Sequence, residues 1–436
     1  MGYPDLGHQV AGRDFRPETL SAVILRKLAA DAARQLGPVT GCVITVPAYF
    51  DDTRRKATMD AGRIAGLDVL DIVDEPSAAA LAYSLQADAP AAGTVLVYDL
   101  GGGTFDVTLV RLGRKRSQVM AIEGDVRLGG KDWDDKLVDW AADRFQRDTG
   151  GTDPRLDPLS LVALRAAAER AKRTLSKVEQ TSLTVSHAGQ RASLPLARTE
   201  FESLTKDLLV RTRLTTQQVL RQAGLTWDNV DRVLLVGGST HMPAVGRMLA
   251  DLTGKESDRS LAVSEVVARG AAAHAGIAHG REQSIRAGHT PVHELLADVI
   301  EVSVNAHSLG VEIKEADGAR RNNILIAKNT QLPAAVTRLY YTVGESQSRV
   351  RVRILQGESP QAAACIAVGE CWVDGLPADL PKGTPVEVRC GVAANGRISL
   401  APPAATPRRR GAPTWRPPAP ATWPGSGLIS GRHAPA

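Results

Sequence analysis

Asp99-Leu-Gly-Gly-Gly-Thr-Phe-Asp106 decides how the rest of the chain is read. The apolar run Thr94–Val97 leads into it and Phe105–Val110 leads away, so two strands joined by a glycine turn are predicted. Ordinary two-residue hairpins are served by Asn-Gly or similar pairs. Three glycines between two aspartates exceed that need. Glycine lets backbone N–H groups approach an anion with no Cβ in the way. Carboxylates beside such a nest make sense where Mg²⁺ bridges them through water. The functional reading is a nucleotide phosphate loop at Gly101, Gly102 and Gly103, with Asp99 organising magnesium and Asp106 leaving on the second strand beside Thr104. The competing reading is a plain glycine hairpin. No Gly-Lys-Ser/Thr is present, which excludes a Walker loop.

Upstream, residues 13–36 carry Leu20, Val23, Ile24 and Leu28 at helical spacing, stopped by Gly37 and Pro38. Val43–Val46 reads as a buried strand ended by Pro47, then a charged helix Thr53–Ala65 and a strand Val69–Val73. Glu75 follows that strand and precedes Pro76 at a helix start. It is either a carboxylate favoured at a helix N-terminus or one facing a ligand crevice at a strand's end. Downstream, the helix Pro158–Lys177 places Glu169, Lys172, Arg173 and Ser176 on one face, which a solvated surface would also explain. A β-like stretch Ser182–Leu196 and a helix Glu200–Ala223 follow. Val233–Val236 then runs through Gly237-Gly238-Ser239-Thr240 to Pro243, either a tight turn or an anion site at a helix start. Strands and helices alternate to about residue 283, so this part is α/β.

The texture changes near residue 290. Val302–Ile313, Ile324–Ala327, Ala335–Val343, Arg349–Leu355 and Val386–Cys390 are strand-like, which predicts an all-β unit of sandwich type. Residues 401–436 hold nine of the 25 prolines and read as a disordered extension. That tail also carries five arginines and no Asp, Glu or Lys, which accounts for the whole formal charge of +5. A neutral body argues against nucleic-acid binding. No apolar run approaches the ~20 residues of a bilayer span, and no leader precedes the first helix. Four cysteines without a Cys-x-x-Cys pair suggest reduced thiols and a cytoplasmic protein. The histidines lack metal-ligand spacing.

Several stretches, in order, resemble the seventy-kilodalton heat-shock (DnaK-type) chaperone family. They include Ile44-Thr-Val-Pro-Ala-Tyr-Phe50, Asp60-Ala-Gly-Arg-Ile-Ala-Gly66, Glu75-Pro-Ser-Ala-Ala-Ala-Leu-Ala-Tyr83 and Asp99 to Asp106. Leu128-Gly-Gly130, Glu169-Arg-Ala-Lys-Arg-Thr-Leu-Ser176 and Leu235-Val-Gly-Gly-Ser-Thr240 continue the series, and Ser308-Leu-Gly310, Leu325 to Thr330 and Leu355 to Glu358 extend it into the β unit.

The resemblance implies an α/β actin-like (ribonuclease H-like) two-lobed ATPase over residues 1–283, a linker over 284–304 and a β-sandwich peptide-binding domain over 305–400. It implies ATP/ADP and Mg²⁺ as cofactors and an ATP hydrolase activity that controls affinity for exposed hydrophobic segments of unfolded proteins. On matching positions, Glu75 would place the attacking water, Asp99 would organise Mg²⁺ through water, and Gly101 to Thr104 would form the phosphate loop with Asp106 as its second acid. Glu169, Lys172, Arg173 and Ser176 would hold adenosine above the turn Gly237, Gly238, Ser239. Pro47 and Arg55 would relay the nucleotide state, while Val311, Ile313, Tyr340, Val343, Val350 and Val352 would line the peptide pocket. A J-domain co-chaperone and a nucleotide-exchange factor are further implied partners.

The chain also departs from the family pattern. It begins after the family's first glycine hairpin and catalytic-site lysine, so lobe one is expected to be incomplete, and the last β strand and helical lid are expected to be missing. His241 stands where the family has an arginine, Ser264 where it has an aspartate, Glu301 within an otherwise apolar linker, and Lys314 in place of an apolar residue. These departures raise the alternative of a pseudo-ATPase scaffold or peptide-binding paralogue without turnover.

Overall fold

The structure, a computed structural model, describes residues 7–10, 12–39, 41–86, 92–113, 116–258, 262–287, 299–315, 317–347, 349–373 and 381–405. The chain divides into two compact units, Met1–Ala306 and His307–Ala436.

The first unit opens with an antiparallel pair, β1 (His8–Val10) and β2 (Arg13–Phe15), and then helix α1 (Pro17–Leu36). Strand β3 (Cys42–Val46), helix α2 (Asp52–Ile64) and strand β4 (Val69–Asp74) form a parallel βαβ unit. The Asp51 carboxylate accepts the Arg54 N–H at 2.9 Å and so caps α2. Helix α3 (Glu75–Ser84) starts at once, with Pro76 in its first turn. Strands β5 (Ala92–Leu100), β6 (Phe105–Gly113) and β7 (Arg116–Asp125) meander antiparallel. Helices α4 (Gly130–Thr149) and α5 (Pro158–Leu175), the hairpin β8 (Gln180–His187) with β9 (Gln190–Ala197), and helices α6 (Arg198–Leu204) and α7 (Lys206–Gln222) follow. Strand β10 (Arg232–Val236), helix α8 (Pro243–Thr253), strand β11 (Ser257–Asp258), helix α9 (Val266–Ala287) and strand β12 (Ile300–Val302) complete the unit.

The main sheet has the order β11-β10-β5-β6-β7-β12. Its centre is apolar on both faces, as a strand covered by helices on each side requires. Leu96, Tyr98 and Leu100 of β5 share one core with Leu137 and Phe145 of α4 and Leu164 of α5. Val95 and Val97 on the other face pack against Ala79, Ala80 and Tyr83 of α3. Small residues let α3 lie close to its neighbours: a Cβ on Gly270 of α9 would collide with the Ala78 carbonyl. Register then aligns the chemistry. Asp99 is the cross-strand partner of Asp106, and Val236, just before Gly237, lies beside Asp99 on β10.

The second unit has a four-stranded sheet, from β13 (Leu309–Lys314), β14 (Arg320–Ile326), β16 (Val350–Gln356) and β17 (Ile366–Val373) in the order β14-β13-β16-β17. A three-stranded sheet joins β15 (Ala334–Tyr341), β18 (Pro385–Val392) and β19 (Ile398–Ala405). Leu309, Val352 and Ile354 from the first share a core with Val388, Cys390 and Val392 from the second.

Some expectations change. The helix read over Glu200–Ala223 is broken at Thr205 into α6 and α7. The stretch Val302–Ile313 is not one strand but the ends of two. Ile300–Val302, placed in a linker by sequence, pairs in parallel with Arg116–Gln118 of β7; residues 288–298 of that segment lie outside the described residues. The face of α1 expected to be buried is largely exposed at Val23, Ile24 and Leu28 (50%, 61% and 59%). Strand β19 runs past residue 400, through Pro402 and Pro403, which an edge strand tolerates. The rest of the tail, 406–436, lies outside the described residues. Strands β7, β17 and β19 and helix α4 were not anticipated.

Candidate functional site

Three carboxylates meet where β5, β6 and α3 come together. Asp99 ends β5, Asp106 begins β6 and Glu75 begins α3; Asp99 and Asp106 are almost completely buried. Burial pushes the Asp99 carboxyl up to about 7. Burial, then the charges of Asp99 and Asp74, push Glu75 up to about 8. Asp106 is raised by burial and by Asp99 and Glu75, against the Tyr49 N–H that it accepts at 3.1 Å. Exclusion of water is the main reason these acids resist ionisation, and neighbouring acids add to it at Glu75 and Asp106. Arg55, the buried cation near them, is engaged elsewhere. It pairs with Asp74 and donates to the carbonyls of Ala48 and Phe50, both at 3.1 Å. Pro47 opens that turn, its carbonyl accepting the Phe50 N–H at 3.0 Å. Among the described residues no group of three His, Cys, Asp or Glu could hold a metal ion directly.

The glycine turn lies beside this acid cluster. Gly101 N–H donates to the Thr104 carbonyl at 3.0 Å and closes the turn. The Gly101 carbonyl accepts from Gly130 N–H at 2.9 Å and from the Ser239 hydroxyl at 2.9 Å, which ties the turn to α4 and to the β10 turn. Lys131 N–H donates to the Gly102 carbonyl at 2.8 Å. Gly237 has φ +83°, and a Cβ there would stand 2.7 Å from an Asp99 oxygen, so glycine is required. Gly102 and Gly103 differ: a Cβ on either would meet nothing within 4 Å. The chain's own packing gives no reason for glycine at those two places, and the space before them is open. That space, and an acid cluster with no ion-pair partner among the described residues, fit a phosphate carrying a hydrated divalent cation.

A cleft of about 870 Å³ adjoins the turn. Gly102, Glu169, Lys172, Arg173, Ser176, Gly238 and Ser239, all singled out by sequence, line it. Lys172 is buried; its ammonium donates to the Gly130 carbonyl at 2.8 Å and pairs with Asp134 at 2.8 Å. Glu169 and Arg173 pair at 2.6 Å on the open face. Glu75, Asp99, Asp106, Gly101, Gly103, Thr104 and Gly237, also singled out by sequence, are not among the residues lining this cleft. His241 and Ser264 line the cleft as well. Sequence reasoning missed Gly130, Lys131, Asp134 and Met242, also in the lining. The pair Gly129-Gly130 was the available signal, because a Cβ on Gly129 would collide with Gly103.

The second unit holds a groove of about 520 Å³. Val311, Ile313, Tyr340, Val343, Val350 and Val352 all line it. Leu339, Tyr341, Glu312 and three arginines, not singled out beforehand, line it too. Leu339, Tyr341 and Val343 are more than half exposed.

The family model described as Hsp70 protein matches residues 2–407. The Chaperone protein DnaK of Deinococcus proteolyticus is 41% identical over 401 residues, which cover 90% of this chain and 60% of that protein. That of Deinococcus radiodurans is 42% identical over 402 residues, covering 90% and 61%, and that of Thermus thermophilus 41% over 402 residues, covering 90% and 62%. The chain belongs to the Hsp70 family. It spans about three fifths of the length of these relatives.

Proposed function

We propose that the chain is a nucleotide-regulated chaperone: Met1–Ala306 binds ATP or ADP with Mg²⁺, and His307–Ala436 binds exposed apolar segments of unfolded proteins. In this reading the first unit is an actin-like ATPase and the second a β-sandwich. The observation that carries it is the open Gly102-Gly103 turn beside two buried acids and a half-buried third, Glu75, which have no ion-pair partner among the described residues. Magnesium would supply charge neutralisation for a phosphate and for these acids. Asp99 would orient its water shell, Thr104 and the glycine N–H groups would face phosphate oxygens, and Glu75 would hold the attacking water. Phosphoryl transfer needs positioning and charge stabilisation more than covalent help, and both are available here. Lys172, Arg173, Glu169 and Ser176 would hold the nucleoside, with Gly237, Gly238 and Ser239 beneath it.

Arg55 would relay the state of this site. It pairs with Asp74, the residue before Glu75, and Asp74 also accepts the Ser303 hydroxyl at 3.0 Å. A movement of Glu75 is therefore transmissible to the segment that precedes the second unit in sequence. Family membership supports a J-domain co-chaperone and an exchange factor as partners. Calorimetric titration of Mg·ATP should show binding that Asp99→Asn weakens about tenfold or more, because a charge-assisted contact is lost. Single-turnover hydrolysis should be abolished by Glu75→Gln with binding retained. Absence of any nucleotide binding by the unaltered chain would overturn the reading.

A further inference from the structure

The groove of the second unit is lined by both apolar and cationic side chains, which alternate along β13 and β16. Lys314, Arg320, Arg351 and Arg353 line it, against one acid, Glu312. Glu312 is held between Arg320 and Arg353, the latter at 2.9 Å, so these three leave one positive charge over. Arg351 is matched by Glu370, outside the lining. Lys314 is exposed and has no ion-pair partner among the described residues. Two uncompensated positive charges therefore lie beside the apolar side chains, and Arg349 stands nearby with its guanidinium over the Trp372 ring at 4.7 Å.

The buried Glu312 holds Arg320 and Arg353, the exposed Glu370 holds Arg351, and all three guanidinium groups stay open to solvent. Arg320 and Arg353 are 62% and 39% exposed, so an incoming carboxylate can reach them without burying itself. Like charges brought next to such a rim are repelled, and opposite charges are attracted, which discriminates between partners with the same apolar core.

We infer that the groove selects apolar segments flanked by acidic residues and rejects those flanked by Lys or Arg. This specificity rests on the peptide-binding reading above. The apolar core would occupy the part lined by Val343, Val350 and Tyr340, and the flanking Asp or Glu would lie against the single cluster of cations that the register builds from Lys314, its cross-strand partner Arg320, and Arg353.

The test uses the whole chain and three labelled peptides that share one five-residue Leu/Val core flanked by two Asp, two Ser or two Lys at each end. Fluorescence anisotropy should rank them Asp over Ser over Lys, each step about two- to fivefold per charge that meets the rim, as exposed pairs give. The spread should shrink as salt rises from about 0.05 to 0.5 M, because surface charges are screened. Lys314→Glu, at an exposed position of the groove lining, should lower the ratio of Asp-flanked to Ser-flanked affinity by about two- to fivefold. Equal affinity for the three peptides, or a preference for Lys flanks, overturns the inference and leaves peptide binding standing. An acid preference that survives Lys314→Glu unchanged removes it from this rim. If none of the three binds, the peptide-binding reading itself falls, and this inference with it.

Discussion

The acid cluster of the first unit and the groove of the second hold their unsatisfied chemistry in opposite ways. Asp99 and Asp106 are buried, Glu75 is half-buried beside them, and none has an ion-pair partner among the described residues. Such an arrangement costs folding free energy, so the backbone around it must be rigid. Strand register, a glycine turn bonded to α4 and the first turn of α3 hold it in place. The groove exposes apolar surface instead, at Leu339, Tyr341 and Val343, and its cations are open to solvent. Buried charge makes a site whose frame is fragile and whose key residues burden stability. Exposed apolar surface makes a site that single changes alter without unfolding the chain.

The hardest test of that contrast is Gly270→Val. Its side chain would be forced into the Ala78 backbone, and α3 carries Glu75 at its start. A loss of about 3 kcal/mol or more is expected for a clash against backbone in a packed core. Scanning calorimetry should show the transition of Met1–Ala306 displaced strongly downwards and that of His307–Ala436 unmoved. Equal displacement of both would show that the two frames do not differ as argued.

The acids themselves should act in the opposite direction. Their folded-state values are raised, so the folded chain holds protons more tightly than the unfolded one and loses stability as pH rises from the ordinary carboxylate range towards about 8. Glu75→Gln should therefore stabilise the ligand-free chain by about 1–3 kcal/mol at pH 8 and by little at pH 5. Thermal unfolding at the two pH values measures it. A variant that is less stable at pH 8 would contradict the account of the cluster as acids that resist ionisation.

The same contrast explains what the sequence revealed. The acid site was legible because its requirements are local: Asp99 to Asp106, Glu75-Pro76 and Gly237-Gly238 each encode a turn and a charge within a few residues. Asp134 was not, because a carboxylate in the first turns of α4 looks like any solvated helix charge until Lys172, 38 residues away, reaches it. The six groove residues were found through alternation and resemblance, yet Arg320 and Glu312 were missed, since an ion pair across a turn has no period. The α1 stripe shows the limit of periodicity. Leu20, Val23, Ile24 and Leu28 repeat at helical spacing, but repetition says nothing about whether a neighbour covers them. Ile300–Val302 failed for a different reason: three residues are too few to announce a strand, and only pairing with β7 makes them one.

His274 offers a smaller, pH-dependent effect at that strand. It lies on α9 between Asp71 of β4 at 3.1 Å and Glu301 of β12 at 2.6 Å. Burial alone would lower its value, but hydrogen bonds and charge from the two acids outweigh it and push it up to about 9. The stabilisation is complete below the unfolded value near 6.5 and is lost as pH rises through about 9. The unaltered chain should lose thermal stability between pH 7 and 10 relative to His274→Gln, by about 1–2 kcal/mol. Parallel profiles for the two chains would exclude this ion triad as a tie between β12 and the rest of the first unit.

The smallest expected change in stability lies in the groove. Val343 is 69% exposed while Val352, lining the same groove, is 3% exposed. Val343→Ser removes no packed contact, so unfolding should shift by less than about 0.5 kcal/mol. Val352→Ser removes a core side chain and buries a hydroxyl in its place, so about 2 kcal/mol or more should be lost. If the groove binds apolar segments, Val343→Ser should still weaken the Ser-flanked peptide severalfold, because apolar surface that would be covered on binding is gone. Binding and stability then separate at Val343 and fall together at Val352. In the acid cluster it is turnover that separates from stability, and with the opposite sign, since Glu75→Gln raises stability as it removes turnover while binding is retained. A Val343→Ser chain that binds the peptide unchanged would move the contact surface away from the exposed rim and towards the buried floor of the groove.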